Sequence, residues 1–165
     1  MPDTSLSIHP RLHPAASIFR LNAGMLGRVS GSLTNEQWLA APSADCNPPL
    51  WILCHLVWTR SRLLARFGVE WQRPWFGQFS RGASRPAAAD YPAPSDVLAA
   101  WQESGSAITA ALESATAEAL AQPADPPSLD RTFAGMVDFL AAHEAYHVGQ
   151  LSYACRWLGL DRVFG

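Results

Sequence analysis

The sequence has no lysine, and all twelve of its basic residues are arginine. That excludes a Schiff-base lysine and a phosphate-binding P-loop, both of which need the ammonium group. Charge of either sign is sparse, at 16% of residues with a net of −2, so the broad basic face of a nucleic-acid binder is not expected. No apolar run approaches the roughly 20 residues that span a bilayer, so no membrane partner is expected either. The opening segment lacks the charged-then-apolar pattern of a secretory signal. The three cysteines, Cys46, Cys54 and Cys155, are odd in number and lack metal-type spacing. They read as reduced thiols of a cytoplasmic protein, with Cys54 and Cys155 as small core residues. Strand-type alternation and internal repeats are also missing.

What is present fits one globular domain over residues 1–165. The chain is 48% hydrophobic, and a domain of this length buries about 70% of its unfolded surface, enough for a core without disulfides. Residues 1–13 carry Pro and polar residues and read as a loose arm, in which His9 and His13 have no assigned role. Ile18, Leu21, Met25 and Val29 recur at helical spacing and predict a helix over 15–29. Thr34 and Gln37 fit a capping box for a short helix carrying Trp38 and Leu39. Asn47-Pro48-Pro49 starts a long helix that should run from Pro48 to Phe67 and stop at Gly68. Its first half is apolar almost all round, which predicts a central position.

Residues 69–94 form a long irregular stretch with four prolines and the aromatics Trp71, Trp75, Phe76 and Phe79; these rings should plaster the segment onto the helices. A third long helix opens at Ser95-Asp96 and reaches Glu113, with Val97, Leu98, Trp101, Ile108 and Leu112 inside. A short helix over 116–121 and a Pro-rich loop follow. The last long helix, capped by Asp130 or Thr132, runs through Phe133, Met136, Leu140, His143, His147, Leu151, Ala154 and Leu158 to Gly159. Four long helices with Pro confined to loops predict an all-α four-helix bundle.

His143 and His147 are four residues apart, so they share one helical face a turn apart. Two imidazoles pointing inward need partners, since burying a polar group without one costs roughly 1–3 kcal/mol. A metal ion satisfies both, and imidazole suits Zn, Ni, Fe or Cu. A third His on another buried helix would complete a three-His site with open positions, and His55 sits mid-way along the second long helix. His143-Glu144-Ala145-Tyr146-His147 also spells H-E-x-x-H, the zinc peptidase pattern with Glu as base. No third ligand of the peptidase type follows it, which disfavours that reading.

The block Asn47-Pro48-Pro49-Leu50-Trp51-Ile52-Leu53-Cys54-His55-Leu56-Val57-Trp58, together with His143-Glu144-Ala145-Tyr146-His147-Val148-Gly149-Gln150-Leu151, resembles the DinB-like family of metal-binding helical proteins (DinB/YfiT-like). The resemblance implies an up-up-down-down four-helix bundle with a long crossover, a homodimer, and a divalent metal ion on His55, His143 and His147. Zn or Ni is the foremost expectation, with Fe or Mn next. Some members of that family are thiol-dependent transferases or isomerases, which implies a metal-dependent transferase or hydrolase with a small-molecule thiol as candidate co-substrate. The other reading is a non-catalytic metal-binding or small-molecule-binding module. A 2+ ion on three neutral imidazoles acidifies water or a thiol, and either would act as nucleophile at neutral pH. Around that site, Glu144 is expected either beside the ligands or as an interhelical or solvated charge, and Gln150 is expected to line the cavity. Arg62, two turns after His55, is placed either to hold an anionic substrate or to carry its charge out of the bundle.

Overall fold

The computed structural model describes residues 8–31 and 33–161. Six α-helices occur among them: α1 (His13–Ser30), α2 (Asn35–Leu39), α3 (Pro49–Arg66), α4 (Pro94–Glu113), α5 (Ala117–Ala121) and α6 (Phe133–Trp157). No strand is present among the described residues. No helix among them is long and apolar enough to cross a membrane.

The boundaries follow local chemistry. Prolines occupy the first turn of α1, α3 and α4, where a missing N–H breaks no hydrogen bond. The capping box is complete: Thr34 Oγ1 accepts from the Gln37 amide, and the Thr34 amide donates to Gln37 Oε1. Of the two candidate caps for α6, Thr132 serves, accepting from the Gly135 amide at 3.0 Å. Helices α3 and α6 end alike. Gly68 and Gly159 take φ of +77° and +80°, and the Val69 and Leu160 amides return to the carbonyls of Leu64 and Cys155. That is the left-handed cap that glycine adopts without steric cost. Helix α3 starts one residue later than expected, with Pro48 rather than Asn47 at the cap.

Helix α1 packs on α6, α3 on α4 and on α6, and α1 more sparsely on α4. Paired residues give the directions. Arg11 meets Asp138, Asn22 meets Glu144, and Val29 clusters with Cys155, so α1 and α6 run parallel. His55 faces His147, Arg60 faces Glu144 and Phe67 faces Phe133, so α3 and α6 are antiparallel. Leu53 and Val57 share a core cluster with Val97 and Trp101, while Leu63 and Leu64 share another with Ile108 and Leu112, so α3 and α4 run parallel. The order is therefore up-down-down-up, which corrects the expected up-up-down-down. A parallel α3–α4 pair needs a long return, supplied by residues 67–93.

Two further expectations are corrected. The N-terminal arm is not loose from Ile8 onward. Ile8 and Leu12 are buried, Arg11 bridges to Asp138 at 2.6 Å, and the His13 ring bonds the Ile8 carbonyl. Residues 1–7 of that arm lie outside the described residues. The inner face of α1 is Ala15, Phe19, Asn22, Leu26 and Val29, whereas Leu21 is 55% exposed. Both stripes have helical spacing; the true one is disguised because it includes a polar residue, Asn22, which finds its partner only on α6.

The aromatics do fasten the long connection to the helices. Phe76 and Phe79 are buried in the same cluster as Leu53, Val57 and Val97, and Trp71 and Trp75 pack edgewise or tilted on Phe76. Trp71 Nε1 donates to Glu103 on α4 at 2.6 Å, and Arg73 pairs with the same carboxylate.

Candidate metal centre

Helix α3 carries His55 on its buried face, one turn after Trp51, which stacks on the imidazole at 5.1 Å between centroids. The connection then reaches back over α3. A 3-10 turn, Phe76–Phe79, seats Phe79 in the core, and its carbonyl lies 2.8 Å from His55 Nδ1. A carbonyl only accepts, so Nδ1 carries the proton and Nε2 is left with its lone pair. Helix α6 brings His143 and His147 opposite. Gln150 Oε1 lies 2.7 Å from His147 Nδ1, which by the same logic leaves His147 Nε2 with its lone pair. Tyr146 and Gln150 complete a short relay, the amide donating to the phenol oxygen at 3.0 Å.

The three rings converge. One ligand atom from each of His55, His143 and His147 lies within 4.8 Å of the others. His143 Nε2 and His147 Nε2 face each other at 3.1 Å. Two imidazoles sharing one tetrahedral ion, at about 2.05 Å each, would set their nitrogens about 3.3 Å apart. His143 Nδ1 is buried without any hydrogen-bond partner, so whichever nitrogen of that ring holds the proton, the ring is incompletely satisfied. Burial holds all three side chains below the usual histidine range, and the Phe79 carbonyl partly offsets this for His55, as Gln150 does for His147. His143 falls furthest, to about 4, through burial first and then the two facing imidazoles. At neutral pH the three rings are neutral, the state in which imidazole binds a metal. The donor set and its orientation fit a divalent ion.

His143 and His147 are only half-buried, which differs from the fully inward placement expected of them. His143, with His55, faces a cleft of about 570 Å³ that Trp58, Phe139 and Arg62 also line; His147 lies outside its lining. Gln150 is not part of that wall; it holds His147 from behind. Arg62 is exposed and does line the cleft.

Glu144 belongs elsewhere. It is turned away from the triad and buried against Arg60, whose Nε and Nη2 donate to its two oxygens at 2.7 and 3.0 Å. Asn22 of α1 donates to the same carboxylate at 3.2 Å. Arg60 also donates to the Trp101 carbonyl and Ser104 hydroxyl and stacks 3.2 Å over the Trp101 ring. Glu144 is thus the interhelical charge of the two expected alternatives, and it is committed to a guanidinium rather than poised as the base of an H-E-x-x-H peptidase. Arg60, Asn22 and the Phe79 carbonyl were not anticipated from sequence; only the rarity of a buried Arg among apolar neighbours hints at the first.

An all-helical protein with three convergent histidines on two antiparallel helices defines a class of candidate metal-binding helical proteins. The chain belongs to the DinB superfamily, whose family model matches residues 19–151. Among curated proteins no match is found.

Proposed function

We propose that this chain is a divalent-metal-binding protein built on a four-helix bundle, with His55, His143 and His147 as ligands and Zn or Ni as the ion, and that it acts as a metal-dependent transferase or hydrolase. The observation that carries the reading is the convergence of three imidazoles, two of them orientated by the Phe79 carbonyl and Gln150. When bound, the ion would supply Lewis acidity and make a water or a thiol nucleophilic at neutral pH. The chain's own residues do the rest. Phe79 and Gln150 fix the tautomers of His55 and His147, a role that commonly governs metal affinity. Trp51 shields the His55 ring on one side. The cleft leaves the other side open to a small molecule, and that openness favours catalysis over a closed structural site.

Elemental analysis of protein purified without added metal tests this, together with titration of Zn and Ni into chelated protein. One ion per chain is expected. A protein that binds neither metal stoichiometrically overturns the reading. A thiol-transfer screen of the loaded protein then separates transfer from hydrolysis. We further propose a homodimer, supported by the exposed Tyr146, Tyr153 and Trp157 of α6 and Leu21 of α1; a monomeric mass by light scattering at tens of micromolar would count against it.

A further inference from the structure

The cleft beside the triad is not electrically neutral. Arg62 and Arg66 of α3 and Arg81 of the long connection all line it, against a single acidic side chain, Asp125. Arg62 and Arg66 are four residues apart on one helix, a spacing at which like charges repel. All three are exposed. Arg81 is brought to the same opening by the 3-10 turn that also seats the Phe79 carbonyl on His55. Three exposed arginines lining one concave opening make it electropositive, and guanidinium recognises carboxylate and phosphate through paired hydrogen bonds. The same cleft is lined by the apolar side chains of Trp58, Met136, Phe139 and Leu140.

We propose that this cleft binds an elongated organic carboxylate. Its anionic end sits on Arg62, Arg66 and Arg81, its apolar body lies over Phe139, Leu140 and Met136, and its far end reaches His55 and His143. The inference rests on the metal-site reading for what happens at that far end, and it names the substrate class. Arg62 lies seven residues beyond His55, about 10 Å along the axis at 1.5 Å per residue. That distance sets the length of the ligand. A compact anion such as acetate or inorganic phosphate would engage the cations without touching the triad.

The test uses the full chain stripped of metal by chelation, so that the ion cannot hold the carboxylate itself. Calorimetric titration at low ionic strength compares 4-phenylbutyrate with its neutral amide. The acid is expected to bind about tenfold tighter, and the preference should shrink as salt is added. The double variant R62Q/R66Q is expected to lose about tenfold in affinity for the acid while keeping its affinity for the amide. Arg20→Gln, on α1, should change neither. Equal affinity for acid and amide, no binding of either, or wild-type behaviour of the double variant overturns the proposal. The acid–amide comparison on the unaltered chain stays valid whatever the variants do to folding. Zinc titration of the double variant keeps the two readings apart. Intact zinc binding with lost acid preference is the expected result, whereas absent zinc binding in the unaltered chain defeats the metal site and leaves the carboxylate comparison standing.

Discussion

Helices α3 and α6 hold two polar clusters little more than one turn apart, and the two are built on opposite terms. The Arg60–Glu144 cluster is closed. Both carboxylate oxygens accept from Arg60, Asn22 adds a further donor, and the remaining guanidinium nitrogen finds a carbonyl and a hydroxyl. The histidine cluster is open. Two of its rings are orientated from behind, two nitrogens face each other, and one buried nitrogen has no partner. A network that satisfies itself contributes to a single packing arrangement. One that leaves a lone pair waiting calls for something from outside. The comparison shows how to tell a structural polar cluster from a functional one: by whether the protein alone completes it.

The largest expected effect breaks the open cluster. Changing His55, His143 and His147 together to Ala should abolish stoichiometric metal binding, and His55→Ala alone should weaken it by about tenfold or more. Metal titration decides; unchanged affinity in His55→Ala would remove His55 from the site.

Breaking the closed cluster should do the reverse. Glu144→Ala leaves Arg60 buried and unpaired, which costs about 3–5 kcal/mol of stability. Glu144→Gln keeps the size but still removes the charge that Arg60 needs, so it too should destabilise while leaving the ion in place. Urea unfolding and zinc titration on the same samples separate the effects. A Glu144→Gln protein that is folded yet cannot bind zinc would place Glu144 with the histidines. Replacing both partners, as R60M/E144L, should recover most of the lost stability.

A smaller effect is expected where the open cluster is only orientated. Gln150→Ala frees the His147 ring and should weaken metal binding by about tenfold, the low end for such positioning groups. Its effect on unfolding should be about 1 kcal/mol, that of a typical hydrogen bond.

The same rings also make the metal-free protein sensitive to pH. All three triad histidines have folded-state values below their ordinary one, His143 at about 4. Below an ordinary histidine value of about 6.5 the unfolded chain takes up protons that the folded chain refuses, so stability falls as pH drops. The decline should run from about pH 6.5 to about pH 4, where His143 itself protonates. Urea midpoints across that range should slope in the unaltered chain and flatten when the three histidines are alanine. An equal slope in both would show that these rings are not the source.

Much of the layout was written locally. Proline in the first turns of α1, α3 and α4, Thr34, Thr116 and Thr132 at N-caps, and Gly68 and Gly159 past the ends set helix boundaries to within a residue or two. These signals are legible because each acts on its own few hydrogen bonds. The i, i+4 histidines were legible for the same reason, since helical pitch alone places them together.

Tertiary structure decided what local rules leave degenerate. Two stripes on α1 had equally good spacing, and burying Asn22 became favourable only because Glu144 and the Ala141 carbonyl stand opposite it. Helix direction followed from the long connection that lets α3 and α4 run parallel, whereas pitch is the same for either direction. Glu144 could not be assigned to a side from its place between two histidines. A helix turns about 100° per residue, so adjacent side chains serve different neighbours, and here the neighbour was Arg60 from α3. The proton on His55 is set by the Phe79 carbonyl; a backbone group carries no residue signature and becomes a partner only when the chain has folded back onto it. The sequence by itself determined which side chains would form helices and which two histidines would meet. The fold determined which polar groups were completed and which were left open, because that depends on contacts between residues far apart in the chain.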